Sequence, residues 1–189
     1  LDKVIVRDVY KNGEKVVSDG KTLCFDMPKI NDALEKKVRN SFNLPMLSSS
    51  DFVVDYNGKR KCHVISLVDG QLLTDDLVSD IDFDCNNGID IEHDILKIAV
   101  IERHHNTGHI GNAFIKGIGL KEGAIASSVA HDSHNLIVIG TNTDDMAFAA
   151  NRIRELGGGI VSVKNGKVVA EMPLPIGGLM SCETAERAA

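Results

Sequence analysis

Four Asn-Gly or Asp-Gly pairs constrain this chain more than any other feature: Asn12-Gly13, Asn57-Gly58, Asp69-Gly70 and Asn165-Gly166. Each stands between short runs containing β-branched residues, and such pairs favour the positive-φ turns whose twist matches paired antiparallel strands. Residues 3 to 17 therefore read as a hairpin, with Val4, Val6 and Tyr10 on one arm and Val16 and Val17 on the other. A lone hairpin is marginal in water, so it must rest on something else. Phe52-Val53-Val54 and His63-Val64-Ile65 flank the second pair, Val68 and Leu72 the third, and the run Ile160 to Met172 turns on the fourth.

Two helices are expected beside these strands. One has Asp26 as its N-cap, an early Pro28, a stripe of Ile30, Leu34 and Val38, and an end at Asn43-Leu44-Pro45. The other is capped by Thr141 or Thr143 and carries Asp144 and Asp145 in its first turn. It buries Met146, Ala149, Ile153 and Leu156 and stops at Gly157-Gly158-Gly159. Ser48 to Asp51 can cap a further short turn. The segment 173 to 181, P-L-P-I-G-G-L-M-S, reads as extended. The fold class expected is α+β, with a mainly antiparallel sheet and two to three flanking helices.

At 189 residues the chain can bury a sizeable core. A formal charge of -6 argues against a nucleic-acid polymer or an anionic membrane as partner. No apolar run approaches membrane-spanning length, and no secretory leader opens the sequence. Leu1 at the start leads to the expectation of a processed, trimmed or partial chain. Cys24, Cys62, Cys85 and Cys182 are far apart with no C-x-x-C pair, so free thiols in a reducing cytoplasm are expected.

Asp80-Ile81-Asp82-Phe83-Asp84 invites comparison with a calcium loop. Started at Asp82, that loop places Asn87 where glycine is needed and His93 where the bidentate glutamate belongs. Acid alternating with apolar residues instead describes a half-buried strand with one wet face. Ile95 to Ile101 reads as a buried strand, and helix or strand stays open for residues 112 to 119.

Chemistry-bearing residues concentrate in two stretches. The first, I-E-R-H-H-N-T-G-H-I-G at 101 to 111, carries Glu102, Arg103, His104, His105 and His109. The second, A-S-S-V-A-H-D-S-H-N at 126 to 135, carries His131, Asp132, Ser133, His134 and Asn135 and leads into the apolar strand Leu136 to Ile139. Five of the seven histidines fall in these two stretches. If the second is extended, Asp132 and His134 share one face; if it turns, His131 and His134 meet. The plainer reading is a polar turn capped by Asp132 and Ser133.

Several enzyme classes are excluded by spacing. There is no H-x-E with P-C-x-x-C, no H-E-x-x-H, no G-x-S-x-G and no phosphate loop. The adjacent His131, Asp132 and Ser133 make a poor nucleophilic triad, because neighbours rarely converge on one hydroxyl. Three imidazoles, His104, His131 and His134, suit a transition metal chemically, so a metal held by this chain alone is a further option.

E-R-H-H at 102 to 105, G-I-G-L-K-E-G-A-I-A-S-S-V-A-H-D-S-H-N at 117 to 135, G-T-N-T-D-D-M-A-F-A-A-N-R at 140 to 152 and P-L-P-I-G-G-L-M-S together resemble the C-terminal region of bacterial and archaeal adenine deaminases, in the amidohydrolase superfamily. The opening hairpin resembles the last strands of that superfamily's small β-sandwich. The resemblance thus implies terminal sandwich strands over 1–22 and an adenine-deaminase-type C-terminal domain over 23–189. It implies hydrolysis of adenine to hypoxanthine and ammonia by a divalent metal (manganese, with iron and zinc as alternatives). The barrel that binds this metal, with its H-x-H pair, is not in the sequence, so no metal ligand and no cofactor are expected in this chain. The partners implied are the N-terminal barrel, adenine and further copies in a homo-oligomer.

On that footing His131, Asp132 and His134 are the candidate catalytic residues. Glu102, Arg103, His104, Ser133 and Asn135 are the candidate substrate-binding residues. The competing expectation is a structural or oligomerisation domain whose histidines are satisfied core groups.

Overall fold

The computed structural model describes residues 4–23, 31–39, 41–184 and 187, in two compact units, Leu1–Asp32 and Ala33–Ala189. The first contains a three-stranded antiparallel sheet of β1 (Val9–Lys11), β2 (Glu14–Ser18) and β3 (Lys21–Thr22). Asn12 and Gly13 take φ of 51° and 83° between β1 and β2. Pairing starts at Val9, where the register slips, so Val4 and Val6 stay exposed outside the ladder. The hairpin is shorter than the sequence suggests.

Helix α1 spans Asp32–Arg39. Asp26, Pro28 and Ile30, the expected cap and first turn, lie outside the described residues. Leu34 and Val38 are exposed, so the expected stripe is not a buried one.

The second unit is built on an eight-stranded sheet. Its strands are β4 (Lys59–Leu67), β5 (Thr74–Asp82), β6 (Ile95–Ile101), β7 (Ile110–Lys116), β8 (Ala124–Ser127), β9 (Leu136–Gly140), β10 (Gly159–Lys164) and β11 (Lys167–Pro173). Their order is β11-β10-β8-β9-β6-β7-β4-β5, and every pairing is antiparallel except β4 with β7. The α+β class expected from the sequence is therefore the one adopted.

Central β6 is apolar on both faces, as a strand between two covered surfaces must be. Edge strand β5 instead carries Asp75, Asp76, Asp80 and Asp82, charges that discourage edge-to-edge pairing.

One sheet face is closed by helix α2 (Thr143–Leu156) and the 3-10 turn Ser49–Phe52. Met146, Ala149 and Ile153 pack there against Ala99, Ile101, Leu136, Val138, Val161 and Val163. Asn142 caps α2 by accepting the Asp145 N–H at 2.7 Å, in place of the expected Thr141 or Thr143, and Gly157 ends it at φ 72°. Buried Asp145 also accepts the N–H groups of Asn165 and Gly166, so the β10–β11 turn is fastened to the helix start. Ser48 and Asp51 cap the 3-10 turn reciprocally.

Three further expectations are corrected. Asn57-Gly58 is not a hairpin turn: only Gly58 has positive φ, and Phe52 is the buried end of the 3-10 turn rather than a strand residue. The carbonyl of Phe52 is drawn inward by Lys97, whose Nζ donates to it at 2.7 Å and also bonds Asn87 Oδ1. Residues 173 to 181 fold into a tight turn closed by an Ile176–Met180 bridge. The undecided stretch 112 to 119 is mostly strand β7. Among the described residues, Cys62, Cys85 and Cys182 are free thiols, and no helix is long and apolar enough to cross a membrane.

Candidate functional site

Strands β6 and β9 are neighbours with Ile101 opposite Leu136. The loop leaving β6 and the loop entering β9 therefore emerge at the same end of the sheet. Two polar clusters separated by about thirty residues are brought into contact by this single pairing. Arg103 Nε donates to His134 O at 2.6 Å. His104 Nε2 lies 2.9 Å from Ser133 O, and because a carbonyl only accepts, Nε2 carries the hydrogen.

Each loop is also held internally. Glu102 accepts from the backbone N–H groups of His104, His105 and Thr107 and from the Thr107 hydroxyl. Desolvation works to raise its pKa, but these hydrogen bonds outweigh it and hold the carboxyl at about 2. In the other loop, His134 N donates to Ala130 O at 2.7 Å and Ser133 N to His131 O at 3.0 Å. The segment turns: Asp132 and His134 take φ of 69° and 50°, a left-handed conformation that non-glycine residues adopt at a cost of about 1–3 kcal/mol each. At its base, buried Ser128 donates to Gly178 O and accepts the Gly159 N–H at 2.8 Å.

The side chains divide into inward and outward groups. Arg103, 2% exposed, lies 5.0 Å over the Phe42 ring, and a Cβ at Gly178 would stand 3.0 Å from its Nη1. Burial lowers its pKa, with Glu102 opposing that by charge. His104, His105, His109, His131, Asp132 and Ser133 are exposed, while His134 and Asn135 are half-buried. The atoms His134 Nδ1 and Asn135 Oδ1 are buried with no hydrogen-bond partner. Ser133 Oγ accepts the Asn135 N–H at 3.3 Å, a turn-capping use that suits no nucleophile.

Asn43, Phe42 and Gly178 were not singled out from sequence. Asn43 donates its backbone N–H to Arg103 O at 2.8 Å and its side-chain amide to His104 O at 2.9 Å. Only the Asn43-Leu44-Pro45 and P-L-P-I-G-G motifs mark these positions, and neither says what it touches.

The rim offers imidazole and carboxylate groups that can exchange protons with a molecule brought against it. Among the described residues no three His, Cys, Asp or Glu side chains come together to hold a metal. The divalent metal implied by the resemblance thus has no ligand set here, and no step is derived through it. A roomier cleft, about 560 Å³ between Lys59, Asp80, Asp82, Asp90, Glu92 and Ile95, lies by the opposite end of β6 and contains no histidine.

A family model described as the adenine deaminase C-terminal domain matches residues 71–189. The chain is 44% identical over 177 residues to an adenine deaminase of Brucella anthropi, covering 93% of this chain and 31% of that protein. It is 40% identical over 191 residues to an adenine deaminase of Lysinibacillus sphaericus, covering 100% of this chain and 32% of the relative. With an adenine deaminase of Petrotoga mobilis it shares 42% identity over 183 residues, covering 97% and 32%. The chain spans about a third of the length of these relatives. It belongs to the adenine deaminase C-terminal domain family.

Proposed function

We propose that this chain is the C-terminal part of a cytoplasmic adenine deaminase, and that its histidine rim completes the purine site of a catalytic barrel outside these residues. The observation that carries the reading is the junction of the two loops. Arg103 and His104 bond to consecutive carbonyls of the His134 loop, holding His131 and Asp132 outward at the sheet end. The net reaction is adenine plus water to hypoxanthine plus ammonia. The departing amine needs a proton and the attacking water must lose one. His131, Asp132 and His134 are the groups of this chain suited to that traffic. Ser133, Asn135 and His104 offer hydrogen bonds to the purine edge, and Glu102 and Arg103 support them from within the loops. The metal that activates the water (manganese, iron or zinc) is assigned to the barrel. Residues 4–23 are read as closing strands of the β-sandwich beside it, within a homo-oligomeric enzyme.

One observation favours a brace instead. Glu102, Arg103 and His104 are all engaged by backbone groups of their own two loops. The readings part on turnover. In the full-length enzyme, His131→Ala and His134→Ala are expected to lower kcat for adenine at least tenfold with the melting temperature unchanged. Wild-type turnover in both variants would leave only the brace.

A further inference from the structure

The sheet face opposite α2 is covered over only part of its area. There Leu96, Ile98, Ile115 and Ile139 lie beneath Ile89, with Ile91, Ile118 and Leu120 packed against them. Toward the histidine rim that cover stops. Cross-strand pairing sets Ile160, Ser127, Ile137, Val100 and Gly111 in one row over five adjacent strands. The row carries no charge. Ile160 is 45% and Val100 38% exposed, Ser127 and Ile137 are half-buried, and Gly111 is exposed. Small Ser127 and Gly111 keep it flat enough for another backbone to approach closely. At its end Val100, Glu102, His109, Ile110, Gly111 and Asn135 line an open hollow of about 420 Å³. The unpartnered Asn135 Oδ1 belongs to a residue of this hollow, so the hollow is short of a donor as well as of apolar contact.

We infer that this row and its hollow are the docking face for the rest of the enzyme, the two-thirds of the relatives' length that this chain does not span. Any polypeptide that comes against the rim formed by the 102–109 and 128–135 loops must also come down on the row that adjoins it. A neighbouring segment of the same enzyme is held at high effective concentration, which favours it over a free partner. Its surface here is apolar, with one hydrogen-bond donor aimed at Asn135. The inference rests on the reading that the rim faces the catalytic barrel, and it adds which sheet face does the docking.

Single cysteines at Val100, Ile160 and the fully exposed Leu72 of the full-length enzyme test this, through maleimide labelling resolved by peptide mass. With each rate divided by that of the urea-unfolded enzyme, Val100→Cys and Ile160→Cys are expected to react at least tenfold more slowly than Leu72→Cys. Equal rates would overturn the docking face. Protection lost on dilution to a monomer, followed by light scattering, would assign the face to a second copy and overturn it equally. Free labelling at Val100→Cys alongside inactive His131→Ala would defeat the docking face alone. Protection there with fully active His131→Ala and His134→Ala variants would support docking and remove only the catalytic reading.

Discussion

Arg103 donates through Nε to the carbonyl oxygen of His134 across 2.6 Å, with only 2% of its surface exposed. This contact joins the two loops from beneath while their histidines face outward. A hydrogen bond from a charged group to a buried acceptor contributes about 1.5–3 kcal/mol, and the stack on Phe42 adds contact area that a lysine cannot reproduce. Arg103→Ala is therefore expected to lower unfolding free energy by about 2–4 kcal/mol. It should also open residues 128–135 to proteolysis before the rest of the chain. Urea titration and timed trypsin digestion check both; a midpoint shift below about 0.5 kcal/mol would contradict the tie.

Glu102 makes stability depend on acid. Its carboxyl titrates at about 2 in the folded chain and at about 4.3 when unfolded, so the contribution is complete above the unfolded value. It fades as pH falls through the window between them and is gone below the folded value. Glu102→Gln should be less stable than wild type at pH 6, with the gap narrowing steadily from about pH 5 toward pH 2. A gap that stays constant over that range would mean the loop does not depend on this charge.

The hairpin of β10 and β11 was legible because Asn165-Gly166 adopts positive φ at both positions, a purely local property. Asn57-Gly58 carries the same letters but lacks that outcome, since Phe52 is claimed by the core and by Lys97. Three cap-capable residues in a row, Thr141, Asn142 and Thr143, left the start of α2 ambiguous. Asn142 is the one whose side chain meets the Asp145 N–H. For the candidate site, composition marked both loops, but their contact depends on Ile101 pairing with Leu136 and is not written in either segment. Nor could sequence show Arg103 turned inward, because its partners Phe42, His134 and Gly178 are far along the chain.

Lys97 works in the opposite sense from Glu102. Burial lowers its pKa to about 8, against about 10.4 in an unfolded chain. The cost of burying the charge is full below the folded value and disappears above the unfolded one. Wild-type stability should thus rise between about pH 8 and pH 10, by on the order of 3 kcal/mol for that shift. Lys97→Met should abolish this alkaline rise. Chemical denaturation of both proteins at pH 7, 8, 9 and 10 measures it, and parallel curves would contradict the assignment.

Asp145 fastens the Asn165-Gly166 turn to the start of α2. Asp145→Ala leaves those N–H groups without their acceptor and is expected to cost about 2–4 kcal/mol. Asn142→Ala, which removes only the cap, should cost about 1 kcal/mol. Comparing the two by thermal unfolding separates capping from turn anchoring. Equal losses would show that the turn gains nothing from the carboxylate.

The central claim is that the two joined loops face the purine in the assembled enzyme. Hydrogen exchange resolved by peptide, on the full-length protein with and without saturating hypoxanthine, addresses it most directly. Exchange in peptides covering residues 101–110 and 126–136 is predicted to slow several-fold on binding, while the β10–β11 hairpin stays unchanged. Protection confined to segments outside this chain, with both loops exchanging as before, would contradict the account.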